Sequence, residues 1–132
     1  VIGDDLNEIV NVSGCQVGDT TSIETKKGGD RVTVTDFIGY DLFVSTDMGS
    51  DQVSLTNVLT LEDIEVNTGT EADSVTMTTV SSGKNIKDSF IGTSVSAAYD
   101  AVFEGGSGTD TFGNFGVMGG TKTEIKEFEI FL

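Results

Sequence analysis

The chain contains no proline, no tryptophan and no histidine, one cysteine, and one arginine, Arg31. Each scarcity excludes something. Proline cannot donate to a ladder of strands paired on both sides, so its absence from 132 residues fits a chain made largely of interior strands. With no Trp, eight Phe and two Tyr, a bulky core is not expected, whereas thin equivalent layers of Val, Ile and Leu suit the composition. The missing histidine removes the usual proton shuttle near neutral pH. A single cysteine excludes an internal disulfide and a Cys-rich metal site. Seven basic residues against 22 acidic ones, a net charge of −15, exclude nucleic acid and anionic membranes as partners and favour solubility or cation binding. No apolar run approaches the ~18 residues of a membrane-spanning helix, and no signal peptide is recognisable. The length fits one domain, 1–132. The chain starts at Val1 rather than Met and is expected to be a fragment of a longer protein.

What is present is an internal repeat. The segments GGDRVTV (28–34), GSDQVSL (49–55) and EADSVTM (71–77) share an acidic residue, a spacer, and two apolar residues separated by a polar one. The acids are Asp30, Asp51 and Asp73, spaced by 21 and 22 residues, and Glu8 stands 22 before Asp30. Two further apolar columns keep this register: Cys15, Phe37, Val58 and Val80 seven residues after each acid, and Ile23, Val44 and Val66 seven before. Asp110 carries the same signature, with Phe112, Val117 and Phe103 in the matching places, but lies 37 residues beyond Asp73. An insertion of about 15 residues is therefore expected within 81–100, as a short helix or a bulging loop.

Alternation in Val32-Thr33-Val34 points the valines to one face and the threonine to the other. Stacked coils would pile such valines into continuous columns, each coil burying little until its neighbour covers it. The expectation is an all-β, right-handed parallel β-helix of about five coils of ~22 residues, roughly 24 Å tall at the usual strand spacing. The alternative is an antiparallel β-sandwich, which also shows short, regularly spaced strands. The tail TEIKEFEIFL reads as a final strand with one wet face.

The pattern G-x-D-x-V-x-L-x-N-V followed by I-x-V-N-T-G, clearest over 49–69, resembles β-helical repeat segments of large bacterial secreted or surface proteins. That resemblance implies a parallel β-helix in an extracellular or cell-surface setting, and no activity. Gly105-Gly106-Ser107-Gly108-Thr109-Asp110-Thr111-Phe112-Gly113 resembles the calcium-binding nonapeptide of RTX proteins. Glycines let carbonyl oxygens converge, and the aspartate adds charge for a hard, oxygen-loving cation. In that family the nonapeptides run in tandem, whereas this chain has one full copy with partial echoes at Asp30, Asp51 and Asp73. The candidate calcium ligands are thus Asp110, Gly105, Ser107, Gly108, Asp73, Asp51 and Asp30. The competing reading is a set of turn-capping aspartates. Like charges stacked at about 4.8 Å repel by roughly 1 to 3 kcal/mol per neighbouring pair, for effective dielectrics between water and about 20. Exposure to water combined with amide hydrogen bonds is the expected relief.

Catalysis has little to rest on. Cys15 falls in an apolar column and is expected to be a buried, inert thiol. Arg31 occupies the spacer position held elsewhere by Gln52, Ser74 and Thr111, an outward position. The function expected is a non-catalytic structural or interaction module, stabilised by calcium in one version, with a cell-surface polysaccharide or protein as partner and end-to-end self-association through open ends. The alternative is a polysaccharide lyase or hydrolase, with carboxylates and Lys84 or Lys87 lining a cleft at the insertion.

Overall fold

The structure, a computed structural model, describes residues 1–82, 100–104, 111–118, 122–126 and 130–131, those from 100 onwards as backbone. Among these residues there is no helix. Strands β1 (Ile9–Ser13), β3 (Arg31–Gly39), β5 (Gln52–Thr60), β7 (Ser74–Ser82), β9 (Thr111–Met118) and β11 (Ile130–Phe131) form one sheet, in that order. Strands β2 (Thr21–Glu24), β4 (Leu42–Ser45), β6 (Ile64–Asn67), β8 (Asp100–Glu104) and β10 (Lys122–Lys126) form the other. Every pairing is parallel and joins each strand to the one two places on, which is the topology of a solenoid. A sandwich of antiparallel strands is excluded.

The register is that of the repeat. Val32 pairs with Val53, Val53 with Val75, and Val75 with Phe112, so the columns keep their register from one side of the insertion to the other. In the second sheet Val44 pairs with Val66, and Val66 with Phe103. The helix or loop expected within 81–100 falls mostly outside the described residues. The continuously described stretch 1–82 holds about three coils, fewer than the five expected, because that expectation counted the C-terminal repeats as complete turns. Strands β8 to β11 continue both sheets in register. The tail supplies two strands, one in each sheet, rather than one.

The long strands are bent. Gly14, Asp36, Asn57 and Thr79 all have positive φ (62, 52, 54 and 54°), and the pairing of β3 with β5 skips Asp36 and Asn57. The bend shifts the alternation by one, so Val32 and Val34 point inward before it and Phe37 after it. Asp and Asn tolerate this left-handed conformation better than other side-chain-bearing residues. Asn57 Nδ2 also donates to Asp36 Oδ1 of the coil before, at 2.6 Å. The return turn absorbs the variation between 21 and 22 residues: β3 and β4 are joined by Tyr40 and Asp41, β5 and β6 by Leu61, Glu62 and Asp63. At the third corner Gly49 has a φ of 137°, and a Cβ there would run into the Gly28 carbonyl oxygen of the neighbouring coil.

The core is one file of stacked apolar side chains: Ile23, Val44 and Val66 from the second sheet face Val32 and Val34, Val53 and Leu55, and Val75 and Met77 from the first, with Phe37, Val58 and Val80 closing the bend. All are buried. Val10, Val12, Cys15 and Val17 of the first coil pack against this core only partly, since nothing among the described residues covers their other side. Cys15 is accordingly half-buried rather than buried, and its Sγ lies 3.4 Å from the Ser13 carbonyl oxygen.

Candidate functional site

The corner before each long strand carries the acidic column. Asp30, Asp51 and Asp73 are 1, 1 and 2% exposed, so the expected exposure to water does not occur. The amide half of the expectation holds. Asp30 Oδ1 accepts the Glu8 N–H, Asp51 Oδ1 the Asp30 N–H and Asp73 Oδ1 the Asp51 N–H, each at 2.8 Å. Each carboxylate thus caps the amide of the acid one coil earlier. Backbone bonds continue the ladder, from Arg31 N–H to Glu8 O, Gln52 N–H to Asp30 O and Ser74 N–H to Asp51 O.

A second buried column, Thr25, Thr46 and Thr68, stands five residues before the acids. Thr46 Oγ1 donates to the Thr68 carbonyl at 3.3 Å. The Oδ2 atoms of Asp30 and Asp51 and the Thr25 hydroxyl are buried without a hydrogen-bond partner among the described residues. Burial pushes the Asp51 carboxyl above the usual aspartate range. The nearby Asp30 and Glu71 charges act the same way, whereas the Asp30 amide and the Thr46 hydroxyl pull it down.

The opposite corner carries a column that the repeat analysis missed. Asp41 Oδ1 accepts the Asp63 N–H at 3.0 Å and Oδ2 accepts the Thr20 hydroxyl at 2.8 Å. Here a carboxylate caps the coil after it, opposite in sense to the Asp30 ladder. The signal was available, because Asp19, Asp41 and Asp63 recur at the coil period.

The nonapeptide resemblance groups Asp30, Asp51 and Asp73 with Asp110, Gly105, Ser107 and Gly108 as candidate calcium ligands. The first three stand one per rung, each committed through Oδ1 to an amide. Among the described residues no three acidic or thiol groups converge as a metal cluster would. Gly105, Ser107, Gly108 and Asp110 lie outside the described residues, as do Lys84 and Lys87.

Arg31 projects outward as expected. Its Nε and Nη2 donate to Gln52 Oε1 at 3.1 and 2.7 Å, along the edge of the first sheet. A shallow depression of about 280 Å³ beside it is lined by Thr33, Ser54, Ser74 and Thr76. Another, of about 350 Å³, lies over Asn7, Glu8, Ser50 and Gln52. Neither brings a nucleophile to a base.

No family model, no curated protein and no solved structure matches the chain.

Proposed function

We propose that the chain is a non-catalytic structural module: a stiff solenoid segment that spaces or presents other parts of a secreted or cell-surface bacterial protein. One observation carries this reading. The same side-chain-to-amide bond recurs, at one length, through three consecutive rungs, which ties coil to coil along the stack. A ladder of this kind resists bending and shear while leaving the outward faces free to vary. Small-angle scattering together with single-molecule pulling tests it. A rigid particle that unfolds coil by coil supports the spacer, and a compact particle that ruptures at low force overturns it. Release of unsaturated sugars from an acidic polysaccharide would instead favour the lyase reading.

A calcium-stabilised version rests on the sequence of residues 105–113 alone. Bound calcium there would tie this glycine-rich segment to the stack. A melt followed by circular dichroism, in millimolar calcium and then in excess chelator, tests it. A rise in melting temperature that magnesium does not reproduce, and that Asp110→Ala removes, supports the site, whereas identical melts remove calcium from the proposal.

A further inference from the structure

The outward side of the first sheet has a regularity that a spacer does not require. Thr33, Ser54 and Thr76 stand in one file and Thr35, Thr56 and Thr78 in the next, paired rung to rung across β3, β5 and β7. Between the files the inward residues are Val34, Leu55 and Met77, all fully buried, so the six outward side chains are anchored on a packed layer. The result is a two-by-three grid of hydroxyls, spaced about 4.8 Å between coils and about 6.6 Å along each strand. None of the six hydroxyls makes a hydrogen bond within the described residues. No charged side chain interrupts the grid, in a molecule whose net charge is −15. Arg31, at its edge, is held along the sheet by Gln52.

We infer that this grid binds a ligand ordered in two dimensions, and that the ligand is the water lattice at an ice surface. Threonine is β-branched and stiff at χ1, so its hydroxyl and methyl occupy fixed positions. Preorganised groups order water at low entropic cost. A layer of ordered water oxygens can hydrogen-bond to such a grid of hydroxyls at many points at once. A polysaccharide fits less well, because the grid offers no aromatic ring on which a sugar could stack. Five of the six positions are threonine, and Ser54 alone lacks the methyl. The face ends at β9, where Gly113 follows Thr76 and Phe115 follows Thr78 in the two files. So short a grid should shape ice crystals and slow their recrystallisation rather than depress freezing strongly. This inference goes beyond the spacer reading and does not depend on it.

The test is ice growth in the presence of the full chain. The wild type should give faceted crystals and slowed recrystallisation. Thr56→Tyr, which breaks the centre of the grid on an outward position, should lose both effects while keeping the wild-type dichroism spectrum. Glu65→Tyr, on the exposed face of β6, should lose neither. Ser54→Thr, which completes the grid, should strengthen both. Round, freely growing crystals with the wild type overturn the inference, as does equal activity in the wild type and Thr56→Tyr. Retention on a neutral polysaccharide without any effect on ice assigns the face to a glycan instead.

Discussion

At the scale of single residues, Asp51 sets two forces of similar size against each other. A charge-assisted bond to an amide contributes about 1.5 to 3 kcal/mol. Repulsion from each like charge one rung away is of the same order when both carboxylates are ionised. Burial adds to the cost of the charge, which is why its pKa is raised. The folded state therefore holds a proton on Asp51 at pH values where the unfolded chain has released it. The stability this contributes is fully present below the ordinary aspartate pKa and is lost as pH rises through the raised value. Asp30, Glu71, Asp73 and the Thr46 hydroxyl all face this group. Two substitutions separate cap from charge. Asp51→Asn keeps an acceptor for the Asp30 amide and removes the charge. It should unfold at neutral pH at least as late as the wild type, with a flatter dependence of melting temperature on pH above the ordinary aspartate range. Asp51→Ala strands that amide and should cost about 1 to 3 kcal/mol in urea titrations at every pH. If Asn costs as much as Ala, the carboxylate charge itself, and not merely an acceptor for the Asp30 amide, holds the corner.

At the scale of elements, the columns were legible because a parallel stack repeats its environment residue for residue. Val32, Val53 and Val75 had to be alike since each packs on the last. The insertion was legible for the same reason, through the return of the pattern at Phe112. The bend was missed although its signal was present. Apolar residues at offsets of two and four from the acid cannot share a straight strand's face with one at seven. The left-handed residue at Asp36, Asn57 and Thr79 reconciles them. The exposure of the acids was misjudged because spacing says nothing about depth. The buried threonines beside them were the clue that this corner turns inward. The bend yields a prediction of its own. Asn57→Val places a β-branched residue at a φ of 54° and removes the bond to Asp36. Strain of this kind costs about 1 to 3 kcal/mol. Asn57→Gly should cost less, since it loses the bond but not the conformation. A Val variant as stable in urea as the Gly variant would show that a β-branched residue meets no strain at this bend.

At the scale of the whole molecule, two consequences follow from stacking. The first concerns the N-terminal end. Val1 and Gly3 extend the second sheet by pairing with Ser22 and Glu24, but no strand among the described residues covers the outer edge of β1. Leu6 and Ile9 are exposed there, at 68 and 71%, and unpaired edges recruit further strands. Net charge opposes association of identical chains, and salt screens it over about 3 Å at molar ionic strength. Light scattering should report a monomer at low salt and growing assemblies at high salt. A monomer at both would mean that the edge is covered.

The second consequence is that stability is a sum over coils and the contacts between neighbours. Removing a whole coil should therefore be tolerated, and removing half of one should not. Deleting residues 52–73 joins Asp51 to Ser74, the same junction that Asp73 makes in the intact chain. Strand β7 then pairs on β3 with Val75 over Val32, and Asp51 takes the place of Asp73 in the ladder. Every column remains in phase, one rung shorter. Deleting only residues 52–62 removes β5 and leaves β6 behind, so the two sheets fall out of step and apolar files meet polar corners. The expected outcome is a cooperative, β-type melt for the whole-coil deletion at reduced temperature, and no folded state for the half-coil deletion. Failure of both would mean that the coils are not interchangeable units. The stack would then depend on contacts particular to one rung, with the core acting as a single indivisible layer rather than as a column built by repetition.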